Sequence, residues 1–238
     1  MIIYGLNPVN DFIDLYKERI LKIYITNKFK RNSLKAISSS LAEIPIEIVT
    51  EKKIQLITNS IKHQAIAAEI LIDSIKNFSD LKKVLPDIDR ILILDHIQDP
   101  QNLGAISRTC VFFGIRDIVI PKVRTVSISA GAVKASAGAI FSTNIYEVSN
   151  LVNIIKDLKK RDYWVIGADT KGDSFTDTKF DKFKDEKIVI VMGSEKKGLS
   201  NLVRGNCDIL LKIRRNGPTD SLNVSVAAGL IINRFNND

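Results

Sequence analysis

Three widely separated stretches of this chain each set polar residues and glycine directly behind an apolar, strand-like run. They are Asp99-Pro100-Gln101-Asn102-Leu103-Gly104 leading to Arg108, Val191-Met192-Gly193-Ser194-Glu195-Lys196-Lys197-Gly198-Leu199, and Ser221-Leu222-Asn223-Val224-Ser225. Open α/β sheets bind ligands in the crevice beyond the carboxyl ends of their strands, and turns of this composition mark such a crevice. Three of them in one chain imply a single site assembled from distant pieces. That demand narrows the fold to an α/β sheet whose strands end along one edge.

The apolar runs over 91–94, 118–120, 164–166, 188–191 and 209–211 have the composition of strands covered on both faces, as in a parallel sheet. Helices are predicted between them over 102–113, 151–160, 199–205 and 222–235. Earlier in the chain the spacing predicts a smaller α/β unit. It has a helix over 8–20, strands over 21–26 and 46–49, a helix capped by Asn32-Ser33 running to Leu41, a helix over 51–59 and an apolar run over 65–72. Residues 77–89 are polar and carry Pro86, so they read as a linker. The predicted division is an N-terminal unit over 1–76, a linker over 77–89 and a larger domain over 90–238.

Lys and Arg number 35 against 27 Asp and Glu, a formal charge of +8. That balance points to nucleic acid or another polyanion as a partner. Lysines are spread along the chain without a basic tail. Cys110 and Cys207 lack neighbours at metal-ligand spacing and sit in apolar contexts, so they are expected to be core thiols in a reducing compartment. His63 and His96 are the only histidines, which leaves a Ser-His-Asp triad or a multi-histidine metal centre without support. The first residues lack a signal-peptide pattern, and no stretch reaches the ~18 apolar residues of a membrane span. A cytoplasmic protein with no metal and no membrane partner is expected.

Each segment, read alone, leaves a choice. On the helix after Asp99, residues Leu103, Ile106, Cys110 and Phe113 form one apolar stripe, and Arg108 lies about half a turn from it. A cation near the positive end of a helix gains nothing from the macrodipole. Arg108 is therefore either a solvated surface arginine or a group meant to meet an anion. The stretch from Gly193 to Ser200 approaches the phosphate-binding loop pattern, but Leu199 stands where that pattern needs lysine. Its glycines permit close backbone approach to a ligand, and Glu195 either bonds a substrate group or caps a helix. The helix from Leu222 is apolar almost all round and is expected to be buried. Ser221 and Asn223 at its mouth are either N-caps or ligand contacts.

Taken together, the three segments resemble the signature motifs of the SPOUT superfamily of RNA methyltransferases, most closely its TrmH/RlmB branch. Ile3-Tyr4-Gly5 and His63-Gln64-Ala65 resemble that branch's small, ribosomal-protein-like RNA-binding domain. The resemblance implies an α/β chain whose C-terminal parallel-sheet domain holds a deep trefoil knot and binds S-adenosyl-L-methionine. It implies a cofactor pocket that includes Gly193, Gly198, Ile213 and Leu222. It places Asn102, Arg108, Glu195, Ser221 and Asn223 in the catalytic neighbourhood, with Arg108 as the central polar group, and it implies a homodimer with the site near the subunit interface. The implied activity is 2′-O-methylation of ribose in RNA, with guanosine of 23S-type large-subunit rRNA as the expected target. Transfer RNA is the alternative substrate, and a non-catalytic RNA-binding assembly protein is the alternative class. One departure is visible: Ile213-Arg214-Arg215 stands where the family commonly has Ile-Pro-Met. A nicotinamide oxidoreductase is disfavoured, because no Gly-x-Gly-x-x-Gly follows an early strand.

Overall fold

Strand β1 (Ile2–Tyr4) turns at Gly5, whose φ of 96° favours glycine, into helix α1 (Leu6–Tyr16). The helix starts ahead of Pro8. A proline in the first turn is tolerated because those N–H groups lack intrahelical partners. The orphan amide of Leu6 instead donates to Gln64 Oε1 at 2.8 Å. The Ile3-Tyr4-Gly5 and His63-Gln64-Ala65 stretches thus meet in space. Val9, Phe12 and Ile13, at helical spacing, turn inward. Strands β2 (Ile20–Thr26), β3 (Ile46–Val49) and β4 (Ile66–Ile70) complete a four-stranded sheet in the order β1-β4-β2-β3, with only the β2–β3 pair parallel. Helix α2 (Glu51–Thr58) is capped by Thr50, whose hydroxyl accepts the Lys53 amide at 3.2 Å.

The computed structural model describes residues 1–29, 44–71, 75–126, 128–174, 176–195 and 197–236. The helix predicted from Asn32-Ser33 lies outside the described residues. Beyond the first unit come β5 (Lys76–Asn77), α3 (Phe78–Val84), β6 (Arg90–Asp95), α4 (Pro100–Phe112), β7 (Asp117–Pro121), α5 (Ala130–Ala135) and β8 (Asn144–Val148). They are followed by α6 (Leu151–Lys159), β9 (Trp164–Ser174), β10 (Ile188–Gly193), the one-turn α7 (Asn201–Arg204), β11 (Ile209–Lys212) and α8 (Val224–Arg234). The strands form an all-parallel sheet in the order β11-β9-β10-β6-β7-β8-β5. Leu92, Leu94, Ile118, Ile120, Ile188 and Ile190 join one buried cluster, while Ile91, Ile93, Val119, Val189 and Val191 join the other. Both faces are covered, as the continuous apolar runs require. From β6 the order runs one way to β7 and β8, and the later strands add on the other side. The strand order therefore reverses between β6 and β10, whose ends pair Asp95 with Gly193.

The stretch expected to link the two units carries structure of its own. Within 77–89, α3 buries Leu81 against the large sheet, the following turn buries Leu85, and β5 pairs with β8. The polar composition belongs to a capping box. Asn77 Oδ1 accepts the amides of Ser79 and Asp80, and Asp80 Oδ2 accepts that of Asn77. The helix predicted over 199–205 shrinks to a single turn. The last helix is not buried all round, since Val226 is 51% and Leu230 39% exposed.

The two sheet units share one buried cluster. Phe12 meets Phe141 edge-on at 5.1 Å between centroids, and Tyr16 Oη lies 2.9 Å from Ser142 Oγ. The N-terminal unit is docked by aromatic packing.

At the start of β4, Ala65 has φ 63° and Gln64 φ 55°. A left-handed alanine stores strain that glycine does not, and its amide bond to His63 Nδ1 (3.0 Å) survives the exchange. Ala65→Gly is therefore expected to raise stability by about 0.5 kcal/mol, read as a higher urea midpoint at unchanged slope. A lower midpoint would contradict the strain.

Candidate active site

A crevice of about 1290 Å³ opens beyond the carboxyl ends of β9, β10 and β11. The β9–β11 register jumps from Leu210–Gly167 to Leu211–Asp173, so the intervening part of β9 leaves the ladder, and Ala168, Asp169 and Thr170 line the crevice. The buried carboxylate of Asp169 is satisfied by Arg204 Nε at 2.6 Å and by the Lys171 amide at 2.9 Å.

A second wall is the turn after β10. Ser194 and Gly198 bond each other in both directions, at 3.1 and 2.8 Å. A Cβ on Gly193 would lie 2.1 Å from the carbonyl carbon of Gly198. Glycine at 193 is thus demanded by the chain folding on itself, a requirement separate from its place on the crevice wall. The turn is anchored from beneath. Asp95, 1% exposed, accepts the Ser200 amide through Oδ2 at 2.7 Å, and its Oδ1 lies 2.5 Å from His96 Nδ1. Sequence reasoning did not single out Asp95. Its signal was an acidic residue closing an otherwise apolar strand.

The three sequence segments meet through side-chain amides. Asn102 Nδ2 donates to Glu195 Oε1, and Asn223 Nδ2 donates to Asn102 Oδ1 at 2.9 Å. Asn223 Oδ1 meanwhile accepts the Ser225 amide at 2.8 Å, so the same side chain caps α8 and joins the chain of amides. Asp99, not Asn102, caps α4, accepting the Gln101 amide at 2.9 Å. Glu195 caps no helix, because the turn precedes α7 and Ser200 occupies that helix's N-cap.

Gly193, Glu195, Gly198, Ile213, Ser221 and Leu222 line the crevice. Asn102 and Asn223 are not among the lining residues, and Asn102 joins Asn223 to Glu195. Arg108 stands apart. Six residues beyond Asn102, it lies about 240° round the helix. It is exposed, outside the crevice wall, and has no hydrogen-bond or ion-pair partner among the described residues. Burial pushes the thiols of Cys110 and Cys207 up to about 12, so neither is a nucleophile at neutral pH. Among the described residues no helix is long and apolar enough to cross a membrane.

Gly193→Ala forces the added methyl into the Gly198 backbone. The expected cost is about 3 kcal/mol in urea unfolding, together with faster hydrogen exchange at the Gly198 and Ser200 amides. Unchanged exchange there would refute the packing argument.

Known proteins place this geometry. Residues 89–233 match the SpoU rRNA Methylase family, and residues 2–72 match the RNA 2′-O ribose methyltransferase substrate-binding family. A TrmH family tRNA/rRNA methyltransferase sequence from Staphylococcus haemolyticus is 34% identical over 237 residues, covering 98% of this chain and 93% of its own. A TrmH family tRNA/rRNA methyltransferase sequence from Bacillus subtilis is 37% identical over 194 residues, covering 79% and 76%. The SpoU methyltransferase AviRb from Streptomyces viridochromogenes, crystallised with AdoMet, superposes with TM-score 0.74 at 18% identity over 99% of this chain and 88% of its own. An rRNA methyltransferase from Sinorhizobium meliloti superposes with TM-score 0.73 at 24% identity over 98% and 85%. Those two likenesses speak to the fold, whereas the family matches and the two sequence relatives speak to descent. The chain belongs to the SpoU/TrmH family of RNA methyltransferases.

Proposed function

We propose that this chain is a cytoplasmic S-adenosyl-L-methionine-dependent methyltransferase that modifies a ribose 2′-hydroxyl of large-subunit rRNA, with guanosine as the target nucleoside. One observation carries the reading: the Glu195–Asn102–Asn223 chain of hydrogen bonds fixes a carboxylate on the wall of a large crevice. The match of residues 2–72 to a ribose methyltransferase substrate-binding family supports RNA as the partner of the N-terminal unit.

The crevice suits the methyl donor. Backbone at Gly193, Ile213 and Leu222 offers polar edges, while Met192, Leu211 and Val224 offer apolar walls. When bound, S-adenosyl-L-methionine supplies an electrophilic methyl group. The protein must orient the hydroxyl and take its proton. Glu195 Oε1 is occupied by Asn102, so Oε2 is the oxygen proposed to accept that proton. A guanidinium, with a pKa above ~12, is no base at neutral pH. Arg108 instead holds an RNA phosphate and stabilises developing oxyanion character. Ser221 bonds ligand groups from the crevice wall. The knotted C-terminal topology implied by the family resemblance belongs to the same proposal.

Arg108 lies outside its own chain's crevice, and a second copy would bring it to a site. Phe112, 81% exposed, shares the outward face of α4 with Arg108. Gly229 of α8 sits against Thr109, which brings exposed Val226 and Leu230 beside that face. An apolar stripe flanking an arginine with no partner among the described residues suits a homodimer in which Arg108 reaches the partner's site. In Leu230→Glu, sedimentation should show half the wild-type mass, with far-UV circular dichroism unchanged and methyl transfer reduced at least about 10-fold. A wild-type mass would remove the dimer.

Arg108→Ala is expected to lower methyl transfer to RNA by about 100-fold or more while calorimetry still detects S-adenosyl-L-methionine binding. A wild-type rate would remove Arg108 from the mechanism. Absence of cofactor binding by the wild-type protein would favour the non-catalytic RNA-binding class. Mapping 2′-O-methyl sites in RNA from cells with and without the gene identifies the target, and a site lost from tRNA would overturn the rRNA assignment.

A further inference from the structure

The charged lining of the crevice is lopsided. Five cations, Lys197, Arg204, Lys212, Arg214 and Arg215, face three carboxylates, Asp169, Glu195 and Asp220. Two of the cations are committed. Arg204 Nε donates to Asp169 at 2.6 Å, and Arg215 Nη1 donates to Asp220 Oδ1 at 2.8 Å. The remaining carboxylate, Glu195, accepts Asn102. Lys197, Lys212 and Arg214 are exposed, and none has a carboxylate at ion-pair distance among the described residues. A cleft lined by one sign of charge focuses its field and draws in counter-charged ligands.

Arg214 is the informative member. It sits in the stretch after β11 that carries Ile213, next to an arginine already held by Asp220. Lys197 comes from the turn after β10 and Lys212 from the end of β11. Cations from two separate parts of the chain, each without a carboxylate at ion-pair distance among the described residues, suit consecutive phosphodiesters of a polyanion better than one small anion. A guanidinium also presents a fork that matches a phosphate in two-point contact. We propose that Arg214, aided by Lys197 and Lys212, binds backbone phosphates of the substrate RNA beside the ribose to be methylated, so that the RNA is held at the crevice mouth as well as by the N-terminal unit. The proposal rests on the RNA methyltransferase reading above and adds to it the residues that grip the strand at the site.

The test measures binding of a fluorescein-labelled stem–loop RNA of mixed sequence as a function of salt. Each lost phosphate contact reduces the slope of log K against log salt by about 0.7 to 0.9. Arg214→Ala should weaken binding about 5-fold and flatten the slope by about that amount, and Arg214→Lys should restore most of the slope because it keeps the charge. Lys160→Ala is the charge-matched control. Lys160 is exposed between α6 and the start of β9, at the opposite end of the sheet from the crevice. Its slope should stay at the wild-type value. An Arg214→Ala slope equal to wild type, or equal flattening in Lys160→Ala, would overturn the proposal. So would a loss of S-adenosyl-L-methionine affinity in Arg214→Ala that exceeds its loss of RNA affinity. The two readings fail separately. If wild-type protein methylates no RNA but the Arg214 slope effect persists, the activity assignment falls and the phosphate site stands. If wild-type protein methylates RNA and the slope is unmoved, only the phosphate site falls.

Discussion

A single buried carboxylate organises the site. Asp95 closes an apolar strand in the middle of the sheet, where an unpaired charge would cost several kcal/mol. It is tolerated because the Ser200 amide and His96 satisfy it. That requirement pins the turn after β10 to the end of β6, at the point where strand order reverses. The Ser194–Gly198 pairing and the glycine at 193 then follow from how tightly the turn must close. The crevice wall is thus held from inside the protein before any ligand arrives.

Helix ends do double duty around this anchor. Asn223 caps α8 with its oxygen and reaches Asn102 with its nitrogen. Asn102, in the first turn of α4, passes the connection on to Glu195. An amide carries both a donor and an acceptor, so a chain of them can join three loops without placing an unsatisfied polar atom in the interior. At 223 an ionised aspartate would cap α8 equally well but has no donor with which to reach Asn102. The Glu195 carboxylate is held through side-chain amides anchored at the first turn of α4 and the N-cap of α8.

Legibility in the sequence varied with the physical signal. The apolar cores of five strands of the large sheet were readable because they form uninterrupted apolar runs, whereas the polar second half of β9 was not. Strand β8 was not, since Asn144 and Glu147 interrupt it near the sheet's edge. Helix α5 was missed because six small and mixed residues carry little periodicity. Within residues 77–89, helix α3 was not legible because a capping box shares the polar vocabulary of a loop, and only the burial of Leu81 and Leu85 reveals it. The site residues were readable as types, and their contacts were not.

By itself the sequence determined the parallel α/β class, the placement of three polar turns at strand ends and the cationic balance. These are local consequences of hydrophobic run length, turn chemistry and composition. The tertiary structure alone decided which partner each polar group takes. Glu195 bonds Asn102, 93 residues away, instead of capping a helix. Gly193 yields to the backbone of Gly198, Arg108 faces outward, and the last helix keeps an apolar stripe in solvent. Each of those outcomes depends on chain segments brought together only by the sheet, and local spacing carries no information about distances set across it.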